Sequence, residues 1–240
     1  MSDIMNINFN DITGEMLKVI SDYDSKTGFK GAYNIRENSQ CAGRKSSENI
    51  TINPKTDKPG IDIIVKPGTK GETVFIPACV THTAVDDLVY NDFYIGEGAD
   101  VVIVAGCGVH NEGEEDARHN GNHRFFLEPN SSVLYKEKHI GTGSGADLVS
   151  RSVARGNSHQ AFYSVVEGNN RCTGHSACDA IIAENGRVDA QPALNAKNVD
   201  AELIHEAAIG KIAGEQITKL CSLGLTKEQA EEKIIQGFLK

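Results

Sequence analysis

The segment IDIIVKPGTKGETVFI (residues 61–76) contains two short β-rich runs separated by a polar turn. The same arrangement recurs in FYIGEGADVVIV (residues 93–104) and in FFLEPNSSVLY (residues 125–135). The three turns begin at Lys66, Glu97 and Glu128, so that 31 positions separate each turn from the next. Short strands that recur at a constant spacing, with no helix between them, indicate coils that pack on one another.

Later turns begin at Glu167, Glu184 and Asn195, at spacings of 17 and 11 residues. A parallel β-solenoid accounts for this pattern, because its coils lie about 4.8 Å apart and its inward side chains stack in files. A β-sandwich also has strands every ~8–12 residues and stays open as an alternative. The periodicity of the turns favours the solenoid.

Helical patterns lie at the two ends of the chain. Residues 9–23 have apolar residues at helical spacing, with Asn10 or Asp11 as the N-cap. The polar segment that follows, residues 24–58, has little periodicity and fits a loop, an arm or irregular first strands. Near the other end, a helix over residues 214–223 ends at Gly224, and Thr226 caps a second helix. We therefore expect a helix and an irregular arm over residues 1–60, a solenoid over residues 61–212 and a helical segment over residues 213–240.

Composition and charge exclude several classes of function. A net charge of −9 argues against binding to nucleic acid, and the C-terminal helices lack a basic recognition face. No apolar run approaches the ~20 residues needed to span a membrane. The N-terminal residues are polar and acidic, which is untypical of a signal peptide, so we expect a cytoplasmic protein whose six cysteines are reduced.

Three candidate ligand residues lie in the last part of the predicted solenoid. Cys178, His205 and Glu206 offer a thiolate, an imidazole and a carboxylate, which suit iron or an iron–sulfur cluster. Cys178 and His205 are 27 positions apart, close to the 28 residues between the late turns at Glu167 and Asn195, so we expect them to lie one above the other, about 5 Å apart. Taken alone, each fits a residue of the core better than a ligand: Cys178 an inward-facing thiol, and His205 a hydrogen-bonded strand histidine.

Two further groups of donors are candidates for metal binding or sulfur handling. Cys172 and His175 precede Cys178 at intervals of three, but residues three apart on a strand point to opposite faces, which argues against a three-ligand site. The second group lies in the segment 107–123, which we expect to be a surface loop; its candidates are Cys107, His110, His119 and His123.

Several short motifs in the C-terminal half resemble the SufB/SufD family of iron–sulfur cluster assembly scaffolds. They are ACDAII (residues 177–182), IHEA (204–207), Lys211-Ile212, Glu215-Gln216 and LGLT (223–226). The resemblance implies a right-handed parallel β-helix in which Cys178 and His205 take part in cluster assembly. Cys178 and Glu206 match the SufB-like pattern, whereas Ile204 replaces an acidic residue of that pattern.

The resemblance also implies a function. The chain is expected to be a non-enzymatic scaffold that builds a transient iron–sulfur cluster, or holds iron, at the interface of a homodimer or of a heterodimer with another SufB/SufD-like chain. Its C-terminal helices are expected to dock a SufC-like ABC-type ATPase through Gln216, Leu220, Leu223, Ala230, Ile234 and Phe238. The alternatives are a metal-dependent β-solenoid enzyme that uses the segment 107–123, and a purely structural SufD-like partner.

Overall fold

The computed structural model describes residues 3–4, 7–142 and 144–239, and within them the chain is mainly β. Three helices are present in this part of the chain: α1 (Asp11–Ser21), α2 (Gly214–Ser222) and α3 (Lys227–Phe238). Fourteen strands are β1 (Ala32–Glu37), β2 (Gln40–Lys45), β3 (Ile50–Pro54), β4 (Gly60–Val65), β5 (Lys70–Val80), β6 (Asp86–Ile95), β7 (Asp100–His110), β8 (Arg118–Leu127), β9 (Ser132–Thr142), β10 (Ser144–Ala154), β11 (His159–Gly168), β12 (Cys172–Ile182), β13 (Arg187–Ala196) and β14 (Ala201–Gly210).

The strands form two seven-stranded sheets that make a parallel β-solenoid of about five turns. The first sheet has the order β13-β11-β9-β7-β5-β1-β2, and the second has the order β14-β12-β10-β8-β6-β4-β3. From β4 onward, successive strands of the chain alternate between the sheets, and within each sheet these strands pair in parallel. The predicted solenoid is confirmed.

The register gives the length of each coil. Ser132 pairs with Asp100 on one side and with His159 on the other, so that successive coils contain between 27 and 32 residues. The turns stack in the same way as the strands: the Gly68 N–H donates to the Glu97 carbonyl, and the Gly98 N–H donates to the Pro129 carbonyl. Gly68 and Gly98 both adopt positive φ, a conformation that glycine reaches without steric cost. The spacing of turns in the sequence therefore follows the stacking of the coils.

The interior contains apolar files and aromatic stacks. Phe93 and Phe125 stack with ring centroids 4.4 Å apart, and Tyr135 and Phe162 stack at 5.2 Å. These four rings are fully buried among Ile, Val and Leu side chains that alternate along the strands with outward residues. The alternation follows from the period of two of a β-strand.

The two ends of the solenoid differ. At the N-terminal end, β2 and β3 are antiparallel to their neighbours, and Ile4 pairs with Arg44 of β2. At the C-terminal end, β13 and β14 each have a paired neighbour on one side only. The C-terminal end is therefore an open edge of two parallel strands, which we call the open end.

Helix α1 covers the outer face of the first sheet. The Asn10 side chain accepts from the Thr13 N–H at 2.8 Å, which confirms the predicted N-cap. Leu17 and Ile20 are buried against the sheet, and a Cβ at Gly106 would meet the Ile20 carbonyl oxygen at 2.6 Å. The helix approaches the sheet so closely because Gly106 carries no side chain.

The C-terminal helices have different environments. α3 begins at the predicted cap Thr226, which forms a capping box with Gln229. Ile235 and the C-cap Leu239 pack on the outer face of the second sheet. α2 has no buried residue and ends before Gly224, which adopts positive φ as expected of a C′ glycine. None of the described helices is both long and apolar enough to cross a membrane.

The structure corrects two local expectations. From Ala32 onward the segment is not an irregular arm but the first strands that the sequence also allowed: β1, β2 and β3 extend both sheets, and their polar, glycine-rich sequence hides the alternation of a strand. The segment 107–123 is not a single surface loop, because β7 continues to His110 and β8 begins at Arg118. Only residues 111–117 connect these two strands.

Candidate functional site

Cys178 lies on the inner face of β12, where it pairs with Ser150 of β10 and Ala207 of β14. The thiol is fully buried in the main core. Burial raises the pKa of Cys178 to about 12, and the charges of Glu137 and Asp179 act in the same direction. The thiol is therefore protonated at neutral pH, and it has to lose this proton before it can bind iron.

His205 lies on the inner face of β14, where it pairs with Ser176. It does not stack directly on Cys178, as its spacing had suggested, because the coil here contains 29 residues and Cys178 pairs with Ala207. Ser176 and Cys178 face the same side of β12, so the thiol and the imidazole are diagonal neighbours on adjacent strands. The structure thus brings both candidates to the interior of the last two coils.

The imidazole of His205 is without a hydrogen-bond partner on either nitrogen, although both atoms are buried. Its ring lies over the ring of Phe162, with centroids 6.5 Å apart. Burial lowers the pKa of His205, and the nearby imidazole of His175 lowers it further. A neutral, unpartnered imidazole next to a buried thiol is an available ligand for a metal.

A file of polar side chains leads through the interior toward Cys178. Asn91, His123, Ser150 and Cys178 occupy register positions on four successive strands of the second sheet. The Asn91 amide lies 3.4 Å from His123 Nε2. Burial lowers the pKa of His123 to about 4, so this imidazole is neutral at neutral pH.

The first sheet adds a buried carboxylate to this interior. The Tyr135 hydroxyl donates to Glu137 Oε1 at 2.8 Å and accepts from His123 Nδ1 at 2.6 Å, and His139 Nε2 lies 3.4 Å from the same Glu137 oxygen. Burial alone would raise the pKa of Glu137, but the His139 imidazole reverses this and holds the pKa below its usual value. Glu137 Oε2 has no hydrogen-bond partner.

A cavity of about 20 Å³ lies beside these groups, lined in part by Cys107, His119, His123, Glu137 and His139. This volume holds one water molecule, which needs polar partners of the kind that line the cavity. Sequence reasoning missed Tyr135, Glu137, His139 and Ser150. The sequence held one indication of two of them: Glu137 and His139 continue the every-second-residue pattern of the inward Val133 and Tyr135 of β9.

The outer face of the second sheet carries the third candidate ligand. Glu206 is exposed, and its Oε2 lies 3.7 Å from Nε2 of His175 on β12. His175 Nδ1 lies 2.8 Å from Asp147 Oδ1 on β10. Glu206 and His205 are consecutive and face opposite sides of β14, so they do not meet at one point.

The remaining sequence candidates are dispersed. Cys172 is buried on the inner face of β12 and His175 faces outward, which confirms the predicted alternation. Cys107 is buried on β7, and burial raises its pKa well above the usual value. His119 donates from Nδ1 to the buried Asp87 at 3.0 Å, and His110 contacts Glu112 at the surface. Among the described residues, no three His, Cys, Asp or Glu side chains converge as a metal site.

The candidate partner surface divides between α2 and α3. Ala230 is fully buried and is therefore not free to contact a partner, whereas Phe238 is partly buried against the chain's own cluster of Val153 and Ile181. Leu223, directly after α2, is 71% exposed. Gln216 is exposed, and Leu220 and Ile234 are partly exposed.

The open end exposes apolar residues at inward positions. Leu194 of β13 and Ile209 of β14 are 40% and 38% exposed, although both point toward the solenoid axis. Their exposure results from the lack of a further coil, because β13 and β14 are the outermost strands of the two sheets. Cys178 and His205 lie in the last coils before this end.

Comparison with known proteins gives a consistent result for this region. Residues 134–238 match the family model described as "SUF system FeS cluster assembly, SufBD core domain". A protein of Archaeoglobus fulgidus named iron-sulfur cluster assembly SufBD family protein is 37% identical over 102 residues, which is 42% of this chain and 28% of that relative. A protein of the same name from Methanothermobacter thermautotrophicus strain Delta H is 37% identical over 101 residues, 41% of this chain and 25% of the relative.

A further relative with this name, from Pyrococcus horikoshii, is 47% identical over 66 residues, 28% of this chain and 20% of the relative. The aligned segments thus span only about a quarter of the length of these relatives. The family match runs from β9 to α3 and includes Cys178, His205 and Glu206. Over residues 134–238, somewhat less than half of its length, the chain contains the core domain of the SufB/SufD family of iron–sulfur cluster assembly proteins.

Proposed function

We propose that the protein is a scaffold on which an iron–sulfur cluster is built between two copies of the chain. The observation that carries the proposal is the position of Cys178 and His205 on the inner face of the last two coils, next to the open end. A thiol and an imidazole from one chain supply fewer than the four ligands that such a cluster normally has. Two copies that meet at their open ends supply two of each.

The open end favours such pairing for two physical reasons. β13 and β14 present unpaired backbone N–H and C=O groups along ten residues each, and such edges are available for pairing with another strand. Leu194 and Ile209 add apolar surface that gains free energy when it leaves water. A heterodimer with another SufB/SufD-like chain would use the same edge.

Cluster binding requires a change at Cys178. The thiol is fully buried and its pKa is raised to about 12, so in the closed chain it is protected and unreactive. Displacement of β13 and β14 would expose the sulfur to water, lower its pKa and allow it to lose the proton. The scaffold role therefore includes an opening step at the last two coils.

We propose that a SufC-like ABC-type ATPase drives this opening through α2. The helix buries none of its residues, while its Leu220 and the following Leu223 offer partly or largely exposed apolar surface. α2 follows β14 after only three residues, so a pull on α2 acts directly on the open end. The resemblance to SufB and SufD supports this choice of partner.

Anaerobic reconstitution with ferrous iron and sulfide, in complex with the ATPase and ATP, tests the proposal. We expect visible cluster absorbance in the wild type and its loss in Cys178→Ala. Cys79→Ala is the matched control, because Cys79 is an equally buried thiol that packs under α1 on the other side of the first sheet. Equal absorbance in the two variants would contradict the proposed role.

A further inference from the structure

Three charged or titratable side chains form a row on the outer face of the second sheet. Asp147, His175 and Glu206 lie on β10, β12 and β14, three successive strands of that sheet. Asp147 and His175 are register partners, and Glu206 reaches His175 diagonally from the position paired with Ala177. The row lies outside the buried site of Cys178 and His205.

The single hydrogen bond of this row fixes the direction of the His175 imidazole. In the tautomer that donates Nδ1–H to Asp147 at 2.8 Å, Nε2 points toward the Glu206 carboxylate at 3.7 Å. In this tautomer the nitrogen and the carboxylate oxygen are both available as ligands to a cation between them. Two ligands on one tetrahedral metal ion, each at ~2.0–2.2 Å, lie roughly 3.4 Å apart, so a small rotation of the exposed Glu206 suffices.

The arrangement matches a recurrent feature of metal sites. A metal-binding histidine usually donates its second ring N–H to a carboxylate, which fixes the tautomer and the orientation of the ring. Asp147 has this position relative to His175. Asp147 is thus a positioning residue, and His175 and Glu206 are the two residues that contact the ion.

The surroundings of the row attract cations. A groove of about 910 Å³ on this face is lined by His175, Asp147 and other polar residues. Its carboxylates outnumber its guanidinium groups by six to two; they are Glu114, Glu115, Asp116, Asp147, Asp200 and Glu202, with Arg118 and Arg171 opposing them. A groove with such an excess of one charge raises the local concentration of the opposite ion.

We propose that His175 and Glu206 capture a ferrous ion on the outer face of the scaffold, with water in its remaining coordination positions. The inference rests on the proposed function, in which iron is a substrate. Glu206 is the residue next to His205, so an ion held outside lies one position along β14 from the buried ligand. Capture involves no electron transfer, because the ion stays Fe²⁺ when an imidazole nitrogen and a carboxylate bind it.

Anaerobic Fe²⁺ titration by calorimetry tests the site separately from cluster assembly. The titration uses Cys178→Ala/His205→Ala as the background, in which the buried ligands are removed. We expect one equivalent of Fe²⁺ to bind, at least tenfold weaker binding after His175→Ala, and ten- to hundredfold weaker binding after Asp147→Asn. His159→Ala is the control, since His159 is an exposed histidine with a single carboxylate partner, Asp189, at 2.9 Å.

The outcomes separate this inference from the proposed function. If His175→Ala and His159→Ala bind Fe²⁺ equally well, the row is an ordinary surface ion pair and the inference fails, whatever Cys178→Ala does to cluster yield. If Cys178→Ala leaves cluster yield unchanged while His175→Ala abolishes Fe²⁺ binding, the proposed function fails and the capture site stands.

A measurement on the wild-type chain avoids any effect of substitutions on folding. Substoichiometric Mn²⁺ broadens the NMR signals of imidazole rings that lie close to the bound ion. We expect broadening of the His175 signals at concentrations that leave those of His159 unchanged. Equal broadening of both rings would overturn the inference.

Discussion

At Cys178, burial has two consequences that act together. The fully buried thiol is protected from oxidation and from stray metal ions, and its pKa of about 12 keeps it protonated. His205, by contrast, is neutral and unpartnered, ready to act as a ligand. The pair is therefore asymmetric: the imidazole is already in the neutral form that binds metal, whereas the thiol still has to lose its proton after the last coils move.

The buried His123 gives the protein an acid-sensitive interior. Its pKa is about 4 in the folded chain and 6.5 in an unperturbed chain, so the unfolded state binds more protons between these values. Stability is fully present above about pH 6.5 and falls as the pH decreases toward 4. Between pH 7 and 4.5 we expect His123 to account for a loss of about 2 kcal/mol in the free energy of unfolding.

Urea unfolding at pH 7 and at pH 4.5 checks this prediction. His123→Asn should reduce the difference in the free energy of unfolding between the two pH values, whereas the exposed control His159→Asn should retain it. If the free energy of unfolding changes equally between the two pH values in both variants, His123 is not the group responsible.

The sequence identified some site residues and could not identify others. Cys178, His205 and Glu206 stood out because their donor atoms suit iron and their motifs resemble a known family. Their mutual geometry was predicted only approximately, since a separation of 27 residues does not match a coil of 29. Glu137 could not be identified from the sequence, because only the strand register shows that it lies in the interior opposite polar groups of the second sheet.

At the scale of elements, the two C-terminal helices have opposite roles. α3 stabilises the solenoid, because Ile235 and Leu239 are buried against Val153 and Ile181. α2 leaves its apolar side chains partly or largely exposed. The caps of both helices were predictable from local sequence, since Gly224 and Thr226 act within one turn of the chain. Whether an apolar face packs on the same chain or on a partner is not a local property.

Substitutions in the two C-terminal elements should therefore affect different quantities. Ile235→Ala removes buried side-chain volume and should cost about 2–5 kcal/mol of stability. Leu223→Asp, at a residue that is 71% exposed, should leave the melting temperature nearly unchanged and weaken ATPase binding.

Thermal unfolding and a pull-down with the ATPase distinguish these effects. If Leu223→Asp binds the ATPase as strongly as the wild-type chain does, α2 is not the docking element. A large drop in melting temperature for the same variant would show that Leu223 supports the fold.

At the scale of the whole molecule, the two ends of the solenoid differ: both sheets end in antiparallel strands at the N-terminal end and in parallel strands at the open end. The repeat of turns at Lys66, Glu97 and Glu128 was sufficient to predict stacked coils, because every coil imposes nearly the same length on the chain. The antiparallel strands β2 and β3 were not predictable, since they lack a coil repeat and contain polar residues at many positions. Their antiparallel pairing gives the N-terminal end a structure that the repeat does not describe.

The open end should set the oligomeric state. Leu194→Asp places a charge on the exposed inner edge of β13 and should convert a dimer to a monomer. Tyr163→Asp is the matched control, because Tyr163 is similarly exposed, at 38% against 40% for Leu194, but lies on the outer face of β11. Sedimentation equilibrium measures both variants. A dimer that survives Leu194→Asp but not Tyr163→Asp would place the interface on the outer face of the first sheet.

Native mass spectrometry of the anaerobically reconstituted protein tests the central claim most directly, because it counts chains and clusters in the same particle. We predict a species of two chains with one cluster, and its absence in Cys178→Ala. A cluster carried by a single chain, or an unchanged two-chain species in Cys178→Ala, would contradict a scaffold that builds its product between two open ends.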